Sequence, residues 1–199
     1  MDTALDPGSE SVMADILDDT FDDRLVDDHA AERTNLALPL SSFVGRAVEV
    51  ASLGAELRAQ RLVTITGSGG CGKTRLAYEV AWAELDGCPD GVWCVELAPV
   101  GDTERVAAEL AQALGVREEF GRPVIDTLAE RLRQFDGLVV LDNCEHVLGG
   151  VRPLVDQLLR RCPTLHVLTT SREPLGVTGE TTWRVPSLDQ DAGIELFVQ

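Results

Sequence analysis

A glycine-rich turn between an apolar run and a helical pattern constrains the fold of this chain more than any other feature. The turn reads Gly67-Ser68-Gly69-Gly70-Cys71-Gly72-Lys73-Thr74, which is the pattern G-x-x-x-x-G-K-[ST]. It follows an apolar run at residues 62–66 and precedes a helical pattern at residues 75–80. Glycines let backbone N–H groups close around phosphate oxygens, and the N-terminus of the following helix adds positive potential. The order of strand, turn and helix therefore predicts a phosphate-binding loop at residues 67–74.

Two side chains of this loop have a predicted chemistry of their own. Lys73 would reach the β- and γ-phosphates of a nucleoside triphosphate, and the Thr74 hydroxyl would bind Mg²⁺. Lys73 is the only lysine among the seventeen basic residues of the chain. A composition that otherwise uses arginine has thus kept a lysine at the one position where the loop needs it.

Composition and charge limit the classes of function. The chain has 199 residues, of which 44% are hydrophobic, and this suits one α/β domain with a tail. It has no apolar run of membrane-spanning length and no basic-then-apolar signal sequence, so we expect a soluble, cytoplasmic protein without membrane contact. Five irregularly spaced cysteines predict reduced thiols rather than disulfides or a zinc site. A net charge of −17 argues against direct nucleic-acid binding by this chain.

The first forty residues differ from the rest in charge. They contain eleven acidic residues and two arginines, and this density predicts a disordered acidic tail or linker over residues 1–40. Within it, Met13, Leu17, Phe21 and Leu25 recur every four residues, a spacing that would form a narrow apolar stripe on a helix. Two interpretations stay open, a solvated linker and a segment that folds on a partner.

From residue 41 onward, apolar runs alternate with helical patterns. Strands are predicted at residues 62–66, 92–97, 138–141, 165–170 and 181–185, and helices at residues 47–58, 73–85, 102–115, 124–135 and around 154–159. A last helix starts near Asp189 and still runs at Gln199. This alternation predicts a doubly wound parallel sheet. We therefore expect a phosphate-loop nucleotide-binding domain at residues 41–188 and the start of a truncated helical subdomain at residues 189–199.

Ligands of parallel sheets bind at the carboxyl ends of the strands, and two charged residues follow strands there. Asp142 ends the apolar run at residues 138–141 and could hold Mg²⁺, usually through water. The alternative is an aspartate that caps a helix or a turn. Arg172 follows the fourth predicted strand, where a guanidinium can contact a γ-phosphate and so distinguish a triphosphate from a diphosphate. The alternative is a surface arginine in a salt bridge.

Four segments, in this order, resemble the NB-ARC/STAND nucleotide-binding domain of large bacterial regulators of the LuxR-like and SARP-like kind. They are Phe43–Glu49, the phosphate-binding loop, Leu141–His146 and Thr169–Gly176. The resemblance covers about residues 38–199. It implies an α/β P-loop NTPase fold of the ASCE type, with three layers and a five-stranded parallel sheet. It also implies that the module binds ADP or ATP together with Mg²⁺.

The resemblance assigns roles to individual residues. Val44 and Arg46 match the segment that contacts adenine, and Lys73 and Thr74 match the phosphate and Mg²⁺ ligands. Asp142 matches the Mg²⁺ acid, and Arg172 matches the γ-phosphate sensor. The implied partners are an adenine nucleotide and the output and sensor domains of a longer regulator, with homo-oligomerisation on ATP binding.

Two positions depart from the family pattern. Ala47 stands where a glutamate often follows the Gly-Arg pair. Asn143 follows Asp142, where a second acid often activates water, and an amide cannot accept a proton at neutral pH. Glu145 lies two residues further on and is the candidate replacement. We therefore expect slow ATP hydrolysis at most.

Three functions stay open at this level. The first is a regulatory switch, in which ADP holds a closed state and exchange for ATP favours assembly or release of an output domain. The second is a P-loop enzyme with real turnover, either an ATPase or a small-molecule kinase, although no arginine-rich insertion resembles a kinase lid. The third is a non-catalytic interaction module in which the acidic tail makes the contacts.

Overall fold

The computed structural model describes residues 33–37 and 46–186. Its strands are β1 (Leu62–Thr66), β2 (Val92–Glu96), β3 (Gly137–Asp142), β4 (Leu165–Ser171) and β5 (Thr181–Arg184). Its helices are α1 (Ala47–Ala59), α2 (Lys73–Glu84), α3 (Val106–Ala113), α4 (Val124–Arg131) and α5 (Leu148–Arg161). The helix predicted from Asp189 and the predicted tail up to residue 32 lie outside the described residues.

All five strands run parallel in one sheet with the order β2-β3-β4-β1-β5. This confirms the predicted five-stranded parallel sheet. β4 lies between β1 and β3, so the strand that leads into the phosphate-binding loop is not the neighbour of the strand that ends in Asp142. The sheet therefore has the ASCE-type order, and the chain has the α/β P-loop NTPase fold.

Helices cover both faces of the sheet and make it the middle of three layers. Val63, Ile65 and Val140 face the side that α1 and α2 cover. Val139 and Leu141 face the side that α3, α4 and α5 cover. β1 and β3 are buried at every residue, which explains why they read as continuous apolar runs rather than as alternating patterns.

The turn into α3 has the caps that its residues predict. The Asp102 carboxylate accepts a hydrogen bond of 2.9 Å from the backbone N–H of Glu104, at the start of a 3₁₀ turn that leads into α3. Gly115 has φ +63° directly after the helix, a conformation that glycine adopts without steric cost. These caps fix both ends of the helix next to β2.

Residues 33–37 pack against β2, although they fall inside the span assigned to the acidic tail. The Arg33 carbonyl accepts a hydrogen bond of 2.9 Å from Val92 N–H. The Asn35 side chain exchanges two hydrogen bonds of 2.7 Å with the backbone of Cys94, and Leu36 is buried. This stretch carries amide and apolar groups that can pair with a strand edge, unlike the acidic residues before it.

α1 lies close to its predicted bounds, but its buried face differs from the prediction. Leu53 and Leu57 are buried, whereas Val48 is 80% exposed and Ala51 is exposed as well. The apolar pattern of this helix predicts Val48, Ala51 and Leu57 as inward residues, which is confirmed for Leu57 and wrong for Val48 and Ala51. The helix carries small apolar residues on all sides, so the larger leucines at i and i+4 decide which face packs on α2.

Within residues 33–37 and 46–186, no helix is both long and apolar enough to cross a membrane.

Candidate functional site at the carboxyl edge of the sheet

Three neighbouring strands bring the predicted site residues to one edge of the sheet. β1 ends at Thr66 and leads into the loop, β3 ends at Asp142, and β4 ends at Ser171, directly before Arg172. Thr66 lies opposite Ser171 in the register of β1 and β4, so the loop and Arg172 emerge side by side. The carboxyl ends of adjacent parallel strands form the crevice in which such folds bind ligands.

The phosphate-binding loop closes around the side chain of its own lysine. Lys73 is 7% exposed, and its Nζ donates hydrogen bonds to the carbonyls of Gly67 (3.1 Å) and Ser68 (3.0 Å). Gly72 has φ +86° and immediately precedes α2, so a side chain at this position would strain the turn. A Cβ on Gly67 would lie 2.7 Å from Cys71 Sγ. The backbone path thus needs glycine at Gly72, whereas at Gly67 the close contact is with the side chain of Cys71.

Asp142 is the centre of a buried hydrogen-bond network. It is 1% exposed, and its Oδ1 accepts hydrogen bonds from the hydroxyls of Thr74 (2.9 Å) and Thr170. Its Oδ2 accepts a hydrogen bond of 3.3 Å from the side-chain amide of Asn143. Because a buried carboxylate is costly unless several donors satisfy it, these three contacts hold the acid in place next to the first turn of α2.

Asn143 adopts a backbone conformation that suits the amide. Its φ is +60°, the only positive φ among the described non-glycine residues, and asparagine tolerates this left-handed region better than most residues do. Its backbone N–H donates a hydrogen bond of 2.9 Å to Thr170 Oγ1. Asn143 therefore braces the Asp142 network on two sides, while offering no group that could take a proton from water.

Arg172 lies over the loop and pairs with Glu145. Its Nε donates a hydrogen bond of 3.0 Å to Glu145 Oε1, and an atom at the Cβ position of Gly69 would lie 3.7 Å from its Nη2. The side chain of Arg172 is 67% exposed and that of Glu145 is 20% exposed. Glu145 Oε2 is buried and has no hydrogen-bond partner among the described residues. Arg172 thus makes the salt bridge that was the alternative interpretation, and the contact with a γ-phosphate stays a prediction.

The structure describes only one of the two residues predicted to contact adenine. Val44 lies outside the described residues. Arg46 precedes α1, is 6% exposed, and has one guanidinium nitrogen, Nη1, that is buried without a hydrogen-bond partner in the described part of the chain. A buried donor without a partner is rare in folded proteins, so the guanidinium of Arg46 can still donate a hydrogen bond to another group.

Three groups near Asp142 are kept neutral chiefly by burial. Burial, together with the contact to Cys94, raises the pKa of Tyr78 far above its usual value. Burial, partly offset by the hydrogen bond with Tyr78, raises the pKa of Cys94 to about 12. The pKa of the Cys144 thiol is also raised, chiefly by burial and then by the charge of Asp142. Such thiols are structural, because only the thiolate is a nucleophile.

The two described histidines form hydrogen bonds with backbone carbonyls. His146 Nε2 donates to the carbonyls of Leu97 (2.9 Å) and Val100 (3.1 Å), and His166 Nδ1 donates to Leu57 O (2.9 Å). Neither contacts Lys73, Asp142 or Arg172 through any of these bonds.

The donor set suits a magnesium ion shared with phosphates. No group of three or more histidine, cysteine, aspartate or glutamate residues that could hold a metal occurs among residues 33–37 and 46–186. Thr74 and Asp142 supply two adjacent oxygens, and Mg²⁺ commonly binds through one or two protein oxygens plus substrate phosphates and water. The glycine loop, Lys73 and this oxygen pair together fit a nucleoside polyphosphate with its Mg²⁺.

Sequence reasoning missed the role of Thr170. The segment Thr169–Arg172 attracted notice for its arginine, but Thr170 bonds both Asp142 and Asn143. Hydroxyl residues on a strand buried on both faces were the available signal, because a buried hydroxyl needs a partner. Thr169 meets that need differently, by donating a 2.8 Å hydrogen bond to Thr64 on β1.

Comparison with known proteins agrees with this geometry. The family model described as AAA domain matches residues 56–178. A Mycobacterium tuberculosis protein whose name is that of an HTH-type transcriptional regulator is 48% identical over 143 residues, which are 71% of this chain and 16% of that protein. Regulatory protein AfsR of Streptomyces griseus is 33% identical over 181 residues, 82% of this chain and 18% of AfsR. The chain thus spans less than a fifth of the length of these two curated relatives.

Solved structures share the fold at low sequence identity. Cdc6p from Pyrobaculum aerophilum has a TM-score of 0.60 at 15% identity, covering 84% of this chain and 52% of that chain. A STAND protein with a tetratricopeptide repeat sensor from Pyrococcus horikoshii has a TM-score of 0.55 at 20% identity, covering 81% of this chain and 26% of that chain. The family match, the sheet order and the loop lead to one conclusion: the chain belongs to the AAA domain family, as an AAA-type P-loop ATPase domain.

Proposed function

We propose that this chain is the ADP/ATP-binding switch module of a longer signal-transduction regulator of the NB-ARC/STAND type, with slow ATP hydrolysis at most. Output and sensor domains of that regulator, and homo-oligomerisation on ATP binding, belong to the same proposal. The observation that carries it is the Arg172–Glu145 ion pair above the loop. Arg172 would lie beside the γ-phosphate of ATP and could exchange Glu145 for it. ADP has no γ-phosphate, so the two nucleotides would make different contacts with this side chain.

The switch rests on competition for one guanidinium. In the structure Arg172 is mostly exposed, and its charge is satisfied by Glu145. A γ-phosphate over the loop would offer a stronger, bidentate partner, and ADP would leave the pair with Glu145 intact. The two nucleotides then stabilise different positions of Arg172 and of the segment after β4. That differential contact is what any ligand-driven switch requires.

Slow hydrolysis follows from the groups around Asp142. Asn143 occupies the adjacent position and cannot act as a base, and its amide is already bound to the Asp142 carboxylate. Glu145 is the remaining acid, and one of its oxygens pairs with Arg172. If γ-phosphate draws Arg172 away, Glu145 is released to orient or deprotonate water. We assign Lys73 and Arg172 to charge stabilisation, Asp142 to holding the Mg²⁺, and Glu145 to this secondary role.

The nucleotide carried by the purified chain tests the proposal directly. We expect denaturation to release ADP, and turnover to stay far below ~10 s⁻¹, the median for enzymes. Turnover near that value would instead support the P-loop enzyme. A well-folded chain with neither bound nucleotide nor measurable affinity for Mg²⁺-ADP or Mg²⁺-ATP would support the non-catalytic interaction module.

Removal of the ion pair tests nucleotide discrimination. In the double variant Arg172→Gln/Glu145→Gln neither charge is left unpaired, so the loop keeps its surroundings. We expect the affinity for Mg²⁺-ATP to fall about 10- to 100-fold, since one charged hydrogen-bond contact contributes about 1.5–3 kcal/mol. Affinity for Mg²⁺-ADP should change less than about threefold. Titration calorimetry measures both constants.

The single variant Glu145→Gln is the matched control. It leaves Arg172 without its partner, so binding of ATP no longer has to break an ion pair, and affinity for ATP should rise. Equal losses for both nucleotides in the double variant, or no loss for either, would contradict the assignment of Arg172.

A further inference from the structure

We infer that the acidic segment at residues 10–32 docks into an arginine-rimmed depression at the edge of the sheet opposite to the nucleotide site. The depression, here called the basal pocket, has a volume of about 900 Å³. Its apolar floor is formed by Trp93, Leu114 and Phe135, and its basic rim by Arg33, Arg131 and Arg133. This inference does not depend on the proposed nucleotide switch.

The basal pocket lies where strands begin. Asp90 and Phe135 line it, and they lie two residues before the first residues of β2 and β3. Leu114 and Phe135 belong to the edge of the core that α3, α4 and α5 cover. Apolar groups of the core thus reach the surface there, and a ligand with apolar side chains could cover them.

The charges of the rim favour an acidic ligand. The side chains of Arg33, Arg131 and Arg133 make no hydrogen bond or ion pair with the described residues. The two acids that also line the pocket are engaged already. Asp90 accepts a 2.7 Å hydrogen bond from Asp136 N–H, and Glu130 pairs with Arg122. Asp90 keeps its negative charge, so three arginines without an ion pair in the described part of the chain, against one such carboxylate, leave the pocket net positive, in a chain whose net charge is −17.

The segment before Arg33 has the complementary chemistry. Residues 1–32 contain eleven acids and one arginine, and the apolar side chains of Met13, Leu17, Phe21 and Leu25 recur every four residues. On a helix this spacing would form one apolar stripe flanked by carboxylates. The stripe fits an apolar floor of two aromatic residues and a leucine, and the carboxylates fit the arginine rim.

Connectivity holds the segment at the pocket. Arg33 lines the pocket, and its carbonyl accepts the hydrogen bond from Val92 N–H, so the acidic segment is covalently attached to a residue of the pocket. Leu25 and Arg33 are eight positions apart along the chain, which is up to roughly 27 Å of extended chain. A tether of this length gives an effective concentration in the millimolar range. Weak individual contacts then suffice for docking.

Hydrogen exchange on the full chain tests the inference. At low salt, we expect amides of residues 10–32 to exchange at least about tenfold more slowly than free chain. Protection should be lost in the variant Arg131→Gln/Arg133→Gln and at high salt, where charges are screened. The matched control is Arg105→Gln/Arg160→Gln, which removes the same charge from exposed helix positions elsewhere and should leave protection unchanged.

A change on the segment side gives an independent arm. Phe21→Ser alters a residue outside the described fold and should lower protection across residues 10–32, while the amides of β1 and β3 stay protected because the fold itself is kept. Three results would overturn the inference. They are exchange at free-chain rates in the unmodified protein, equal protection in both arginine variants, and protection that disappears on dilution. The last would assign the basal pocket to a segment of a second copy.

Discussion

Replacement of Lys73 by alanine is expected to weaken binding of Mg²⁺-ADP and Mg²⁺-ATP by at least about 100-fold. In the structure Lys73 Nζ holds two loop carbonyls at hydrogen-bond distance, which places its charge within the loop. Two charged hydrogen bonds to phosphate, each contributing at least about 1.5 kcal/mol, account for a factor of this size. Titration calorimetry measures the loss, and thermal unfolding tests whether the variant remains folded.

A second variant that also removes one positive charge shows whether the loss of binding depends on the position of Lys73 or on net charge alone. Arg184 lies on β5 opposite Thr66, at the same edge of the sheet, and it is exposed. Arg184→Ala should change either affinity by less than about twofold, because an exposed charge contributes little at physiological salt. If folded Lys73→Ala binds both nucleotides as tightly as the unmodified chain does, the nucleotide site lies elsewhere.

A large loss of stability is expected from Gly150→Ala. Gly150 lies in the first turn of α5, where a Cβ would come within 2.1 Å of the Thr103 carbonyl oxygen and 2.9 Å of Val106 Cγ2. A backbone oxygen cannot rotate away, so α5 would have to shift against the turn before α3. Overpacking of this kind costs about 1–3 kcal/mol. We expect the midpoint of thermal unfolding to fall by roughly 4–8 °C.

Gly149→Ala provides the comparison at the neighbouring position. Its Cβ would lie 3.5 Å from Thr103 Cγ2, an ordinary contact, and the residue is exposed. Alanine stabilises a helix by about 1 kcal/mol relative to glycine, so this variant should match or exceed the stability of the unmodified chain. Equal midpoints for the two variants would show that α5 does not pack as closely on the Thr103 turn as described.

Local pattern was sufficient for the sheet strands and for the edge that carries the site. Buried strands such as β3 read as unbroken apolar runs, and Asp142 is conspicuous as the first charge after one. The glycine pattern of the loop predicts its backbone conformation, because glycine tolerates conformations such as that of Gly72 far better than other residues do. In both cases the structural requirement, burial for the strands and a left-handed backbone for the loop, directly determines which residue types occur.

Contacts between distant strands were beyond local pattern. Thr170 reaches Asp142 only because β4 lies beside β3, and the hydroxyl pair of Thr64 and Thr169 exists only because β4 also lies beside β1. Strand order is decided by how whole layers pack, so no window of neighbouring residues contains it. The Arg172–Glu145 pair follows from the same adjacency.

Composition averaged over a long window also concealed a short packed stretch. The acids before residue 33 dominate the first forty residues, whereas Asn35 and Leu36 are neutral and make specific contacts with β2 and the core. A burial of one leucine and a pair of amide hydrogen bonds does not change an average over forty residues. The expectation for the remainder of that segment stays a prediction.

The pairing of Asn35 with Cys94 has a consequence for solubility. β2 is an outer strand, and its free N–H and C=O groups would form a template for strands of other molecules. The Asn35 side chain bonds both backbone groups of Cys94, and the Ala37 carbonyl accepts a hydrogen bond from Trp82 Nε1. Five residues thus act as a protective cover. A shortened chain that began at α1 would lose this cover, and the exposed edge of β2 could then pair with strands of other molecules.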